Sequence, residues 1–173
     1  MNLEQHLRSR HLDLDLHRPA IDELEGVATF YLWNLSGQMV GYQQYRPAAD
    51  KQKKNHPREG RYFTFRKAPK VAVWGVESLG LTPGLVFVTE GVFDAARLTS
   101  LGVSAVAVLS NDPTTDVKNW FACLGRTVVA VCDNDAAGRR LARLGDHVVY
   151  TPNKDLGDSP QTFVDSLVAQ FLV

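Results

Sequence analysis

RTVVAVCDNDAAG, residues 126–138, is the stretch on which the fold of this chain turns. Residues 126–132 form a strand-length segment, rich in valine and continuously apolar from 128 to 132. The run ends in Asp133-Asn134-Asp135 and passes into Ala136-Ala137-Gly138, which opens a helical pattern that continues to Leu144 and stops at Gly145. A strand apolar on both faces belongs inside a parallel sheet covered by helices. An Asp-x-Asp leaving its carboxyl end sets two carboxylates where open parallel sheets bind their ligands.

The same alternation extends on either side. Residues 85–89 predict a buried strand, 92–100 a helix closed by Gly102, 105–109 a strand and 116–123 a helix. After the central motif come a short strand at 147–150 and a terminal helix at 161–172. Upstream of residue 84 the character changes. VATFYLWN (27–34) and QMVGYQQY (38–45) read as strands joined by a Leu35-Ser36-Gly37 turn, and further short strands are expected at 62–65 and 71–74. Short helices are expected at 3–10 and at 19–24, the second with Pro19 in its first turn. Residues 46–61 lose periodicity and read as an exposed basic loop. The expected architecture is therefore α/β, with a small mixed N-terminal lobe (1–83) leading into a mostly parallel sheet with helices on both faces (84–173).

Acidic residues gather at the strand ends. Glu90 follows the strand at 85–89, with Asp94 four residues on, where the pair shares a helical face or frames the first turn. Asp133 and Asp135 follow the central strand, and Asp155 and Asp158 follow the last one. Either aspartate of the Asp-x-Asp alone reads as a helix cap, but three clusters in this alternation point to a cation site. Hard carboxylate oxygens suit Mg²⁺, which keeps waters and uses one or two carboxylates plus phosphate. The small residues Ala136, Ala137 and Gly138 leave room there for a phosphate ester.

Composition narrows the classes. Nineteen basic and nineteen acidic residues among 173 exclude attachment to nucleic acid by bulk charge alone, while leaving local patches free to act. Cys123 and Cys132 encode neither a zinc ribbon nor a disulfide framework, and Cys132 reads as a small buried hydrophobe. No apolar run of about 18 residues and no signal-like N-terminus is present, so the expected location is cytoplasmic, away from membrane.

The strings TEGVFDAARLTSLGVSAVAVLS, VVAVCDNDAAGRRLA and YTPNKDLGD resemble the Toprim domain of bacterial replicative primases and of the primase half of phage primase-helicases. The shared pattern is Glu-Gly-x-x-Asp, Asp-x-Asp-x-Ala-Gly and Lys-Asp, across about residues 84–160. The N-terminal lobe resembles what precedes Toprim in primases, through Gly37-x-x-x-Gly41, a basic stretch, a tyrosine-bearing strand and Trp74-Gly75-Val76. The resemblance implies a Toprim, Rossmann-like fold and a DNA primase using Mg²⁺ (or Mn²⁺) to join ribonucleotides on single-stranded DNA. It implies Glu90 as general base or metal-linked carboxylate, Asp133 and Asp135 as holders of the metals, Asp94 in support and Asp155 as a further metal-linked acid. Arg46, Arg61, Lys53, Lys54 and Lys154 are the expected nucleotide and nucleic-acid contacts. Gln43 and Gln44 depart from the family, whose hairpin strand carries more basic residues. The implied partners are the template, ribonucleotides, and a zinc-binding protein or replicative helicase acting in trans, with a phage genome as a natural source. A small Toprim nuclease and a non-catalytic Toprim module are the competing readings.

Overall fold

The computed structural model of the chain describes residues 1–51, 56–67, 71–110, 113–152 and 155–172. Helices α1 (Leu3–Ser9) and α2 (Leu14–His17) lead into an antiparallel sheet of β1 (Ala20–Asp22), β2 (Val27–Trp33), β3 (Met39–Tyr45) and β4 (Tyr62–Arg66), in that spatial order. The second sheet is parallel, in order β6 (Ala105–Ala107), β5 (Leu85–Thr89), β7 (Thr127–Cys132), β8 (His147–Tyr150). Helices α3 (Val92–Thr99), α4 (Thr115–Cys123), α5 (Ala136–Leu141) and α6 (Gln161–Phe171) accompany it.

Every residue of β5 is buried, because alternate side chains enter two separate cores. Leu85 and Phe87, with Val129 and Val131 of β7, pack with Ala95, Leu98 of α3 and Val164, Leu167 of α6. Val86 and Val88, with Val128 and Ala130, pack with Val117, Trp120 and Phe121 of α4 and Leu141 of α5. The first of these cores runs on without a break into the antiparallel lobe, taking in Leu3, Leu7, Phe30, Leu32 and Tyr45.

The two sheets are stitched as well as packed. Val73 exchanges backbone hydrogen bonds with Trp33 of β2, both 2.9 Å. The next residue, Trp74, does the same with Ala107 of β6, at 2.9 and 3.0 Å. The Trp74 ring lies 4.2 Å from the ring of His17, which is itself held 2.5 Å from Glu77 and 3.0 Å from Thr99.

The expected helix at 19–24 is a strand. Proline disfavours helical backbone in the residue before it, so α2 ends at His17 and Arg18 caps it in a left-handed conformation, φ 43°. Ala20–Asp22 then pairs with β2 around a turn through Gly26. The strand expected at 71–74 is reduced to the two bridging residues, and β6 stops at Ala107, two residues before Leu109 with φ 51°.

Trp74 is 2% exposed at the junction. Trp74→Ala should cost about 3–5 kcal/mol of unfolding free energy. Because one core spans both sheets, urea titration followed by fluorescence of the remaining tryptophans should show a single transition moved to lower denaturant.

Candidate active site

The carboxyl ends of β5 and β7 and the segment after β8 converge on the side of the parallel sheet that faces the antiparallel lobe. Between them lies a cleft of about 260 Å³, with Glu90, Asp94 and Asp155 on one wall and Arg10, Gln43 and Tyr62 on the other.

Glu90 and Asp94 frame the start of α3. Gly91 is its N-cap residue, and a Cβ there would stand 2.9 Å from Asp94 Oδ2, so glycine is what lets this carboxylate fold back over the helix start. Thr89 Oγ1 donates to the Gly91 carbonyl at 2.9 Å and fixes the turn. Asp94 Oδ1 accepts from Gly157 N–H at 3.1 Å, while Arg97, one helical turn on and buried, donates to the Gly157 carbonyl at 2.9 Å. These two α3 side chains hold the 155–157 loop against the cleft. Within that loop Asp155 Oδ1 accepts from Asp158 N–H at 2.8 Å, so the third acidic pair forms one tight turn.

At the end of β7, Asp133 is half-buried and Asp135 exposed. Asp135 is the N-cap of α5, its Oδ1 accepting from Gly138 N–H at 2.8 Å, so the helix-cap reading of this residue is also correct. Gly138 does not leave space for a ligand. A Cβ there would fall 1.9 Å from the Asp133 carbonyl oxygen, so the backbone of the acidic turn itself fills the room that glycine provides.

The carboxylates act on one another. Burial, then the charges of Asp155 and Asp133, push Asp94 up to about 7 against the opposing pull of Gly157 N–H and Arg10. Burial and then Asp135 raise Glu90, with Arg140 pulling the other way. The couplings fall into two sets, Asp94 with Asp155 and Asp133, and Glu90 with Asp135, both reaching the acidic turn that ends β7. Among the described residues no three His, Cys, Asp or Glu side chains are grouped to hold a metal ion by themselves. Such a donor set fits a hard cation that retains waters and takes one or two carboxylates, rather than a closed protein cage. Cys132, buried and with its thiol pushed up to about 12 by burial and by Asp133, is no ligand or nucleophile.

Of the expected basic contacts, Arg61 does not line the cleft, but its charge reaches Tyr45 and Tyr62 and its Nε donates to the Ala49 carbonyl at 3.1 Å. Arg46 does not line the cleft; it lies in a groove with Asp22, Glu25 and Gln44. Lys53, Lys54 and Lys154 fall outside the described residues. Arg10 escaped the sequence reading. It caps α1, its guanidinium lies 4.2 Å from the Phe93 ring centroid, and its charge reaches Asp94 and Tyr45. Its only sequence signal was a cation at the end of a short N-terminal helix. Arg66 was missed likewise; it donates to the carbonyls of Val108 at 3.2 Å and Leu109 at 2.9 Å, tying β4 to the cleft rim.

The raised Asp94 has a signed consequence. Unfolded it releases its proton near 3.8, folded near 7, so between those values the folded state binds the extra proton. Its contribution is most favourable below pH 4 and falls as pH rises to about 7, by roughly 2–4 kcal/mol. Without divalent metal, Asp94→Asn should flatten the dependence of melting temperature on pH across this window and melt higher than wild type at pH 8.

No protein-family model matches the chain, and no curated protein matches its sequence. Its fold is similar to that of solved primase structures. The DnaG primase catalytic domain bound to ssDNA superposes with TM-score 0.68 at 15% identity, over 96% of this chain and 73% of that one. The zinc-binding and RNA polymerase domains of Aquifex aeolicus primase give TM-score 0.64 at 16% identity, over 96% of this chain and 54% of that one. The primase fragment of the bacteriophage T7 primase-helicase gives 0.64 at 16% identity, over 95% and 72% respectively. With both sheets and the intervening cleft included in that coverage, the chain has the fold of the DnaG-type primase catalytic core.

Proposed function

We propose that this chain is a primase-type nucleotidyltransferase that makes short RNA primers on single-stranded DNA, residues 84–173 supplying the acidic centre and residues 1–83 the template side. The observation that carries this reading is the placement of Glu90, Asp94 and Asp155 on a cleft whose opposite wall carries Arg10, with Asp133 and Asp135 acting on Asp94 and Glu90 from the end of β7. Like charges held this close raise one another's pKa, and a bound cation would relieve that repulsion.

Asp133 and Asp135 would hold Mg²⁺, with Mn²⁺ as a substitute, and Asp94 and Asp155 would complete the charge balance. The metal would supply neutralisation of the attacked phosphate and of the departing pyrophosphate. Glu90, raised by burial and by Asp135, is suited to take the proton of an attacking 3′-hydroxyl. Arg10 is pinned over Phe93 and offers its guanidinium as a phosphate contact. Tyr62 adds a hydroxyl on the same wall, its ionisation pushed up by burial, by Tyr45 and by Asp94, so it stays a donor. Lys154, Lys53, Lys54 and Arg61 remain proposed phosphate contacts, and Arg46 one outside the cleft.

The known structures support the proposed partners in kind. One similar primase domain is bound to ssDNA, another is joined to a zinc-binding domain, and a third is a fragment of a primase-helicase. A zinc-binding protein or helicase in trans is proposed here on that basis. Among the described residues no helix is long and apolar enough to cross a membrane; action in the cytoplasm, that of the host for a phage protein, is part of the proposal.

The test is incubation with labelled ribonucleotides and single-stranded DNA in Mg²⁺ or Mn²⁺. Wild type should yield short oligoribonucleotides and Asp133→Ala none. Metal-dependent shortening of the template instead would replace this reading with the nuclease. Arg10→Ala should raise the KM for nucleotide by about tenfold with a smaller change in kcat. In a separate melting experiment, Mg²⁺ at a hundredfold excess over its Kd should stabilise wild type by about 2.7 kcal/mol and leave Asp133→Ala nearly unmoved.

A further inference from the structure

The antiparallel sheet has a second face, turned away from the cleft. Strand alternation sends Gln43 and Tyr45 of β3 and Tyr62 of β4 inward, and Tyr42 of β3 and Phe63 and Phe65 of β4 outward. The strand register brings Tyr31, Tyr42 and Phe65 into one row, Tyr31 opposite Tyr42 and Tyr42 opposite Phe65. The Tyr42 ring lies 5.4 Å from Phe65 and 6.4 Å from Phe63. None of these rings is buried, and Phe65 is 45% exposed. At the end of the row, Tyr31 and Trp33 line a groove of about 310 Å³.

Cations accompany the rings. The Arg58 guanidinium lies 5.7 Å from the Phe63 centroid, and Lys67, exposed, continues the outward register of β4. Residues 46–67 hold eight lysines and arginines against two acids, in a chain whose formal charge is zero. Of these, Arg58 and Lys67 are the cations placed beside the aromatic face. Arg46, by contrast, lies in a groove with Asp22 and Glu25.

We propose that this outer face is a stacking platform for single-stranded nucleic acid, separate from the acidic cleft. Bases would stack on Phe65, Tyr42 and Tyr31, and phosphates would meet Arg58 and Lys67. An apolar protein segment would need the greasy surface but not the cations, whereas flat rings interleaved with cations on an open sheet match both parts of a nucleotide. The inference rests on the proposed action on single-stranded template and adds a second place where that strand is held.

The experiment is fluorescence anisotropy of a fluorescein-labelled oligothymidylate of about 20 nucleotides with the full chain in EDTA, so that no chemistry contributes. Phe65→Leu, which keeps an apolar side chain and removes the ring, should weaken binding by about tenfold. Phe65→Tyr should keep wild-type affinity, and Arg58→Ala should weaken binding and reduce its salt dependence. Equal affinity of wild type and Phe65→Leu would overturn the proposal, as would equal loss in Phe65→Leu and Phe65→Tyr. Self-association lost in Phe65→Leu with oligothymidylate affinity unchanged would assign the face to a second copy of the chain instead. Ring-dependent binding by a chain that makes no primers would leave the platform standing and sink the primase reading. Primer synthesis without ring-dependent binding would do the reverse.

Discussion

Burying Asp94 and bringing it into the field of Asp155 and Asp133 costs free energy, and its raised pKa reflects both, burial first. The surrounding structure resists the relaxation that would relieve it. Gly91 permits the fold-back of Asp94, Gly157 N–H holds its carboxylate, and Arg97 grips the carbonyl of the same glycine. Asp135 is tied to the start of α5, and the backbone of Asp133 occupies the space above Gly138. Turns tightened in this way cannot splay apart when their acids ionise. In the proposed function, that repulsion is what a bound cation would cancel.

The same constraint explains why the N-terminal lobe is fused to the parallel sheet by a common core instead of swinging on a linker. Arg10 opposes the acids only because α1 docks through Leu3 and Leu7 into the core that also holds Phe87 and Leu98. Phe93, on the helix that carries Asp94, is the surface on which Arg10 rests, and it also meets Phe30 and Tyr45 edge-on. A cation placed across a cleft on a rigid wall meets its phosphate with little reorganisation. The Trp33–Val73 and Trp74–Ala107 bridges make that wall continuous with the sheet that bears the carboxylates.

Much of this was legible in the residues because the signals were local. The runs 85–89 and 126–132 have apolar cores, 85–88 and 128–132, and are followed by glycine or acidic turns, so strand, turn and helix follow from short-range preferences. The hairpin of β2 and β3 was legible for the same reason. What escaped depends on contacts between distant segments. Nothing near Arg10 announces Phe93, and nothing near Arg66 announces the carbonyls of Val108 and Leu109. At Pro19 two local rules competed, proline as a helix opener and proline as a barrier to the residue before it, and the second prevailed because β2 offered Ala20–Asp22 a partner. Gly138 shows a different limit: small size was correctly read as a need for room, but the room belongs to the chain's own backbone.

Side-chain alternation also settles a question that residue type leaves open. Arginines flanking strands look alike in sequence, yet Gln43 and Gln44 of β3 face opposite ways, and Arg46, in step with Gln44, follows the outward one. Gln43 enters the cleft and bonds Thr64 at 2.9 Å, so the cleft wall formed by β3 carries a neutral amide there. Positive charge on that wall comes instead from Arg10, delivered by a helix from outside the sheet. The sheet commits its inward β4 cation, Arg66, to the carbonyls of Val108 and Leu109. Its outward positions carry rings, and the basic segment between β3 and β4 borders them through Arg58.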